Sequence, residues 1–239
     1  MKSPVIDIRR KDQQFHTQAG WLDSYHSFSF GPHYDPHNTH HGLLLVSNDD
    51  IIKAGTGFST HPHQDMEIVT WVLKGELEHK DSEGHKGIIY PGLAQRMSAG
   101  RGIWHSEINN SSQKDVHLVQ MWVLPDTERI DPGYEQLDIN SEMVKGGLVP
   151  IASGRGHNAA IQIRQKGAVL WGGRLKPGEV VTLPEAQFVH LYIAQGAAVL
   201  ESAGPLSAGD AVRLTGAGKQ KLTADPKTGT EVLIWEMNP

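Results

Sequence analysis

The sequence predicts an all-β protein built from two similar barrels or sandwiches. Short runs rich in β-branched and aromatic residues recur about every eight to twelve residues, the spacing typical of such folds. The 239-residue chain contains 26 glycines and 13 prolines, scattered between these runs as turn residues. No long amphipathic helical pattern interrupts the strands. The same kind of pattern appears in both halves, which indicates a duplicated architecture.

Composition excludes several classes of function. Charged residues make up 21% and hydrophobic residues 38% of the chain, so disorder is not indicated. The net charge of -5 comes without a Lys/Arg cluster, which argues against direct nucleic-acid binding. The N-terminus has no apolar signal core and the apolar runs are too short to span a bilayer, so we expect a cytoplasmic protein without membrane contact. With no cysteine, a metal would be bound by nitrogen and oxygen alone.

The first predicted strands follow from the alternation of side chains. Residues 5–8 alternate apolar and polar side chains, and residues 21–31 alternate large and small ones before the turn at Gly31 and Pro32. Residues 43–47 form a short apolar run ahead of a polar turn. The strand predicted over 21–31 is expected to bury one face.

The remaining strands of the first half are predicted to form hairpins. Residues 67–73 are β-branched and aromatic, and a glycine-centred turn returns the chain into residues 77–79. A turn rich in Asp, Ser and Gly then leads into residues 88–90. Residues 116–124 form a long apolar strand that Pro125 closes.

A weakly patterned stretch separates the two halves. Between Pro125 and about His157 the strand pattern fades, so we place an interdomain connection there and divide the chain into domains 1–135 and 136–239. A helical turn is expected within residues 135–144. The predicted strands then resume at 160–164, 169–175, 179–183, 189–194, 197–201, 211–214 and 231–235.

Two pairs of potential metal ligands stand out. His61 and His63 are one residue apart, as are His105 and Glu107, and residues i and i+2 of a strand point to the same face. Three imidazoles and a carboxylate from two strands would bind a divalent transition metal and leave room for water or substrate. A closed structural site with the same ligands is the alternative.

Other polar residues leave alternatives open. Glu67 lies four residues after His63, so in an uninterrupted strand it would share that face, and it is interpreted as a further ligand or a structural acid. His117 and Gln120 lie on opposite faces of one strand, and one of them is expected to line the pocket. The histidine-rich loop 33–41 is interpreted as a solvated loop beside the site.

An internal repeat indicates that the second half has lost the metal ligands. Residues 91–100 resemble residues 208–217, which suggests duplication. Matching the turn glycine Gly75 to Gly196 places Thr182 and Pro184 where the first copy has its His-x-His pair. His190 has no partner one residue away, so a structural role is expected for it.

The two ligand pairs resemble the two motifs of the cupin superfamily. The first motif is a glycine, five residues, His-x-His, a glutamate and a glycine. A glycine stands at Gly100, where cupins usually carry a proline. The matching positions are Gly55, His61, His63, Glu67 and Gly75 for the first motif, and Gly102, His105 and Asn109 for the second.

More narrowly, the chain resembles the pirin family. The segments that match are 28–31, 34–36, 60–63 and 99–107. The resemblance is close from about residue 20 to residue 124 and looser afterwards. It implies a bicupin, that is, two jelly-roll cupin barrels, with an iron-type metal in the N-terminal barrel only.

The resemblance also implies ligands and an activity. Pirin ligands correspond to His61, His63, His105 and Glu107, whereas Glu67 is not a ligand in that family. Bacterial pirins resemble quercetin 2,3-dioxygenases, which open the central ring of a flavonol with O2 and release carbon monoxide. The expectation is therefore a metal-dependent dioxygenase in which Glu107 is the catalytic base that takes the substrate hydroxyl proton. No further cofactor-binding residue is assigned.

Further expectations concern the metal and the partners. Fe(II) is the expected ion, with Zn, Mn, Ni, Co or Cu as alternatives. The expected partners are a planar aromatic flavonol and O2, and the chain is expected to be a monomer. Four aromatic residues are candidate walls for a planar substrate, but they are interpreted as core and are given no role in the site: Phe28, Phe30, Phe58 and Trp104.

Two other functions compete with the dioxygenase. Animal pirins also resemble the chain and act as iron-dependent partners of transcription factors, which implies a regulatory protein that acts through a protein partner without turnover. A metal-dependent sugar isomerase on the same barrel is the third reading. It explains less, because that activity does not need the motifs specific to pirins.

Overall fold

Nearly every predicted strand forms in the computed structural model, which describes residues 3–239. A single turn of 3-10 helix, Lys11–Gln13, and one short α-helix are the helical elements of this part of the chain. The first twelve strands are β1 (Val5–Arg9), β2 (Phe15–Gln18), β3 (Leu22–His26), β4 (Leu44–Ile52), β5 (Gly57–His63), β6 (Glu67–Lys74), β7 (Leu77–Asp81), β8 (Lys86–Ile89), β9 (Leu93–Ser98), β10 (Ile103–Ile108), β11 (Val116–Val123) and β12 (Gly133–Asp138). The elements that follow are α1 (Asn140–Met143), β13 (Val149–Ser153), β14 (Ile161–Gln162), β15 (Ala168–Leu175), β16 (Val180–Thr182), β17 (Phe188–Leu200), β18 (Gly204–Ser207), β19 (Ala211–Thr215), β20 (Lys221–Ala224) and β21 (Thr230–Met237).

The first barrel consists of two sheets. One has four strands in the order β5-β10-β7-β8, and the other has seven in the order β12-β9-β6-β11-β4-β3-β2. All the pairings within these sheets are antiparallel. The two ligand pairs of the sequence lie on β5 and β10, which are direct neighbours in the small sheet.

The second barrel is formed by the remaining strands, which belong to one ten-stranded arrangement. Its main path runs β1-β19-β17-β21-β15-β13-β14, while β16, β18 and β20 branch from it. The long strand β17 pairs with β19 and β21 on the main path and with β18 and β20 on the branch. An irregularity near Ala194 separates the two parts of this strand. The prediction of an all-β protein with two barrels is confirmed.

Strand pairing bears on where the first domain begins and ends. Strand β1 pairs with β19 over five residues, from Val5↔Thr215 to Arg9↔Ala211. It therefore belongs to the ten-stranded sheet of the second barrel. Strand β12 pairs with β9 in the first barrel, and the predicted division after residue 135 falls inside it. We therefore propose a division after β12, with β1 exchanged into the second barrel.

A shared hydrophobic core joins the two barrels. One buried cluster includes Phe28 and Trp71 of the first barrel together with Trp235 of the second. Trp71 Nε1 donates a hydrogen bond to Glu231 Oε1 at 2.8 Å, and Trp235 Nε1 contacts Met121 Sδ at 3.2 Å. Burying large aromatic side chains while satisfying their N–H groups stabilises this contact.

Several predicted strands differ from those observed. The polar turn predicted after residue 47 is wrong, because β4 continues as one strand from Leu44 to Ile52. The strand predicted over 21–31 ends at His26, because Ser29 N bonds Asn38 O of the following loop while Phe28 enters the shared core. The strands predicted over 189–194 and 197–201 are one strand, β17. The helical turn expected within 135–144 is confirmed as α1. Within residues 3–239, no helix has the length and apolar character needed to cross a membrane.

Candidate metal centre

Three histidines converge between β5 and β10. The antiparallel register places His105 opposite His61 and Ile103 opposite His63, so the three rings gather on one side of the sheet. One ring nitrogen from each histidine lies within 4.8 Å of those of the other two. The ring centroids of His61 and His105 are 4.4 Å apart, and those of His63 lie 4.9 Å from each. In the described part of the chain this is the one such group of potential ligands.

A bulge in β5 shapes the wall beside the histidines. Opposite the two-residue step from His105 to Glu107, β5 advances three residues, from His61 to Phe58. The extra residue reverses the alternation of side chains. As a result Phe58 shares a face with His61 and lines the same cavity.

The free ring nitrogens are those that a metal ion requires. His61 Nδ1 lies 2.7 Å from the carbonyl oxygen of Ser59, so this nitrogen donates and Nε2 keeps its lone pair. The Nε2 atoms of His63 and His105 are buried and have no hydrogen-bond partner among residues 3–239. Burying such an atom unpaired is costly, and an ion at the centre of the cluster would remove that cost. The residues therefore fit a metal.

Burial keeps the inner two histidines neutral. Loss of solvent, together with the neighbouring His105 and His61, lowers the pKa of His63 to about 4. Burial, aided by His61 and His79, likewise lowers the pKa of His105 to about 3. Neutral imidazoles are the form that binds metals, so both are available as ligands at neutral pH.

Glu107 lies in the same cavity but outside the histidine group. It is buried, and both of its carboxylate oxygens lie 2.9 Å from Gln120 Nε2, which donates to them. Gln120 Oε1 in turn accepts a hydrogen bond from Trp122 Nε1 at 3.0 Å. The Glu107 carboxylate does not belong to the group of potential ligand atoms that lie within 4.8 Å of one another, which contains only the three histidines. The assignment of Glu107 as fourth ligand and catalytic base stays a prediction.

Glu67 serves a structural contact between the barrels. The assumption of an uninterrupted strand from His63 to Glu67 is wrong, because β5 ends at His63, the chain turns through Asp65 with φ 47°, and Glu67 begins β6 of the other sheet. Its carboxylate accepts a hydrogen bond from Arg164 N at 3.0 Å. Burial raises the pKa of this fully enclosed acid.

Two of the three histidines, His61 and His63, line a cavity of about 170 Å³ together with Glu107. Gln120 lines it, whereas His117 points away and contacts Asp49 Oδ1 at 2.6 Å. A larger cleft of about 370 Å³ lies beside Arg174 and Glu231 on the second barrel and does not contain the histidines. The residues lining the 170 Å³ cavity are Leu22, Ser24, His26, Phe30, Asn48, Asp50, Phe58, His61, His63, Glu107, Gln120 and Trp122.

The aromatic residues of the cavity differ in part from the sequence interpretation. Phe30 and Phe58, interpreted as core, line the cavity together with Trp122, which was not singled out. Phe28 is a core residue, as interpreted, with 1% of its surface exposed. Trp104 is half exposed and belongs to neither the core nor the cavity wall.

A row of polar side chains forms the wall opposite the histidines and was missed by sequence reasoning. Ser24 pairs with Asp50 across β3 and β4, and Asn48 stands between His26 and Gln120 on the neighbouring strands. Ser24 Oγ donates a hydrogen bond to Asp50 Oδ1. Burial raises the pKa of Asp50 to about 7. The signal available in the sequence was the i, i+2 spacing of polar residues within otherwise apolar strands.

The histidine-rich loop 33–41 does not join the metal group. His33 Nε2 lies 3.0 Å from Thr17 Oγ1, and His41 Nε2 lies 3.2 Å from the carbonyl oxygen of Leu214. His37 and His40 are exposed. The loop thus packs against β2 and the second barrel.

The sequence matches models of known protein families. A model of the Pirin family matches residues 8–123, and a model described as the quercetinase C-terminal cupin domain matches residues 150–237. A Mycobacterium tuberculosis protein, whose name of quercetin 2,3-dioxygenase is provisional, is 56% identical over 98% of this chain and 96% of its own length. The Escherichia coli quercetin 2,3-dioxygenase is 51% identical over 55% of this chain and 57% of its own length.

A solved structure resembles the whole molecule. The bacterial pirin YhhW from Escherichia coli, crystallised in complex with nickel(II), superposes with a TM-score of 0.90 at 35% sequence identity. The match covers 98% of this chain and 100% of that one.

Proposed function

Because the chain belongs to the pirin family and folds as two cupin domains, we propose that it is a metal-dependent dioxygenase that opens a flavonol such as quercetin with O2 and releases carbon monoxide. The observation that carries the proposal is the cluster of His61, His63 and His105, two of which line an enclosed cavity. An enzyme of this kind needs a metal held beside an enclosed space for substrate.

The three histidines would hold the ion, with Glu107 as the proposed fourth ligand. A redox-active divalent ion supplies Lewis acidity and one-electron chemistry with O2, and Fe(II) is the proposed ion. Nickel(II) is the ion bound by the similar E. coli pirin, so ions other than iron also suit this type of site.

Glu107 is the proposed acceptor of the flavonol hydroxyl proton. A carboxylate that accepts hydrogen bonds from Gln120 at both oxygens is held in one orientation, and Gln120 is itself held by Trp122. Burial of Glu107 limits competition by water for that proton. The proton passes from the substrate hydroxyl to a Glu107 oxygen, which leaves the substrate as an anion.

The cavity walls suit one part of a planar, hydroxylated substrate. Phe30, Phe58 and Trp122 offer aromatic surface, while Ser24 and Asp50 offer hydrogen-bonding groups for hydroxyls. The volume of about 170 Å³ is smaller than the roughly 300–1,000 Å³ typical of ligand pockets. We propose that the ring carrying the reacting hydroxyl enters the cavity and that the rest of the flavonol extends from its mouth.

Oxygen uptake and loss of flavonol absorbance test the proposal. The metal-free protein is loaded with Fe(II), Mn(II) or Cu(II) and assayed under air. We expect turnover with at least one of these ions and a fall to background in His61→Ala, because that change removes a ligand. His37→Ala, which removes an exposed histidine outside the cavity, is the matched control and should keep full activity.

Two outcomes would contradict the proposal. Unchanged turnover in His61→Ala would remove the histidine cluster from the mechanism. Metal binding without turnover of any flavonol would instead favour the regulatory alternative, in which the chain acts through a protein partner.

A further inference from the structure

A buried hydrogen-bonded chain lies behind His105, on the side away from the cavity. Strand β7 pairs with β10, so that Asp81 stands opposite His105 and His79 opposite Glu107. His79 Nδ1 lies 3.5 Å from His105 Nδ1, and His79 Nε2 lies 3.1 Å from Asp81 Oδ2. The side chains of His79 and Asp81 are fully buried.

We propose that His79 and Asp81 are positioning residues that hold His105 in the tautomer whose Nε2 binds the metal. This inference rests on the metal site of the proposed function. It concerns which nitrogen of His105 carries the proton and how firmly the ring is held, and neither residue touches the ion.

Asp81 determines which atoms donate and which accept in the hydrogen bonds that link it to His79 and His105. Its Oδ1 accepts hydrogen bonds from the backbone N–H groups of Glu83 and His85, both at 3.0 Å, and its Oδ2 lies 3.0 Å from His85 Nδ1. An ionised carboxylate accepts hydrogen bonds and donates none. His79 Nε2 must therefore carry the proton that faces Asp81.

The proton on His79 Nε2 decides the state of His105. In neutral His79 the other nitrogen, Nδ1, then has the lone pair and accepts a hydrogen bond from His105 Nδ1–H. That leaves the lone pair of His105 on Nε2, which is the buried, unpartnered atom facing His61 and His63. The 3.5 Å separation between the two Nδ1 atoms is at the long end of the range for a hydrogen bond.

His105 has an anchor different from that of His61. The carbonyl oxygen of Ser59, within the same strand, accepts from His61 Nδ1 at 2.7 Å. His105 relies instead on His79, which is in turn hydrogen-bonded to the carboxylate of Asp81. Hydrogen-bonded partners of this kind raise the basicity of a metal ligand as well as orienting it. The ring of Tyr134 packs 4.8 Å from that of His79 and helps to cover the chain.

Metal affinity is the test, with Co(II) as the probe and a competing chelator to measure the dissociation constant. His79→Leu keeps the bulk of the side chain but offers no acceptor to His105, and we expect it to weaken Co(II) binding by about 10–100-fold. His79→Asn places an amide oxygen near the position of Nδ1 and should restore much of that loss. The visible absorption of bound Co(II) should change in His79→Leu and return towards the wild-type spectrum in His79→Asn.

A matched control separates positioning from general stability. His85→Leu removes the other histidine that contacts Asp81, on the side away from His105, and should leave Co(II) affinity unchanged. Thermal melting of the metal-free variants shows whether each is folded. A purely structural role for His79 would lower the melting temperature and leave the affinity of the folded protein as it was.

Asp81→Asn provides a second variant if His79→Leu does not fold. It keeps the shape of the side chain but removes the charge, and we expect a loss of Co(II) affinity on the order of tenfold. Wild-type affinity in the folded variants would overturn this inference and leave the metal site in place. Failure of the wild-type protein to bind Co(II) would overturn both the inference and the metal site.

Discussion

Asp50 and Glu107 are two acids that share one cavity in different surroundings. Glu107 accepts two hydrogen bonds from Gln120, whereas Asp50 Oδ1 accepts from the hydroxyl of Ser24. Burial raises the pKa of Asp50 to about 7, and the nearby charges of Asp49 and Glu107 act in the same direction. Asp50 is thus able to present a proton to a substrate oxygen at neutral pH.

The raised pKa of Asp50 predicts a pH-dependent stability. The pKa of Asp50 is higher in the folded state than in the unfolded state, where it is near 4. Its contribution to stability is therefore fully present below pH 4 and is lost as the pH rises through about 7. At about 1.4 kcal/mol per pKa unit, the loss is on the order of a few kcal/mol. Relative to Asp50→Asn, the metal-free wild type should become steadily less stable to urea over this range. Parallel pH profiles for the two proteins would contradict this.

Residues that belong to a recognisable motif were predictable, whereas pairs outside any motif that meet across strands were not. His61, His63 and His105 were predicted from spacing and motif, and they lie together in the structure. Ser24 and Asp50 are 26 positions apart and meet only because β3 pairs with β4. A single sequence contains no local pattern that records such a register.

At the scale of elements, the joint between β5 and β10 sets the geometry of the site. A Cβ atom on Gly57 would lie 2.2 Å from the carbonyl oxygen of Glu107 and 2.7 Å from Ile108 Cα. Both contacts are with backbone, which cannot rotate away. Glycine therefore allows β5 to approach β10 closely enough for the histidines of the two strands to meet.

Gly57→Ala should separate these two strands. We expect a loss of about 1–3 kcal/mol in the free energy of unfolding and a weaker affinity for Co(II), because His61 and His63 shift relative to His105. Urea unfolding and chelator competition measure the two effects. Gly133→Ala is the matched control on β12, since its added Cβ would meet only the end of the flexible Arg96 side chain at 3.2 Å. Equal effects of the two substitutions would contradict the role given to Gly57.

Strand existence was predicted better than strand ends. The hairpin strands β6, β7 and β8 follow from β-branched runs and glycine turns, and all three form. Strand β3 ends earlier than predicted because Phe28 has a partner in the second barrel, which local alternation cannot reveal. Glu67 was given two roles because the turn through Asp65 was not recognised.

At the scale of the whole molecule, the two barrels share a framework but not a metal site. In the first barrel β5 pairs with β10, and in the second β16 pairs with β20. Thr182, the last residue of β16, occupies the position that the internal repeat aligns with His61, so the second barrel has no histidine there. The repeat could be read from the sequence. The exchange of β1 into the second sheet could not, because it pairs residues about 200 positions apart.

The most direct measurement of the central claim is the initial rate of O2 consumption with a flavonol as Fe(II) is added stepwise to metal-free protein. Only the first barrel carries the three histidines, so the rate should rise linearly and level off at one ion per chain, while His105→Ala stays at background throughout. A rate independent of added metal, a plateau at two ions per chain, or full activity in His105→Ala would contradict the account.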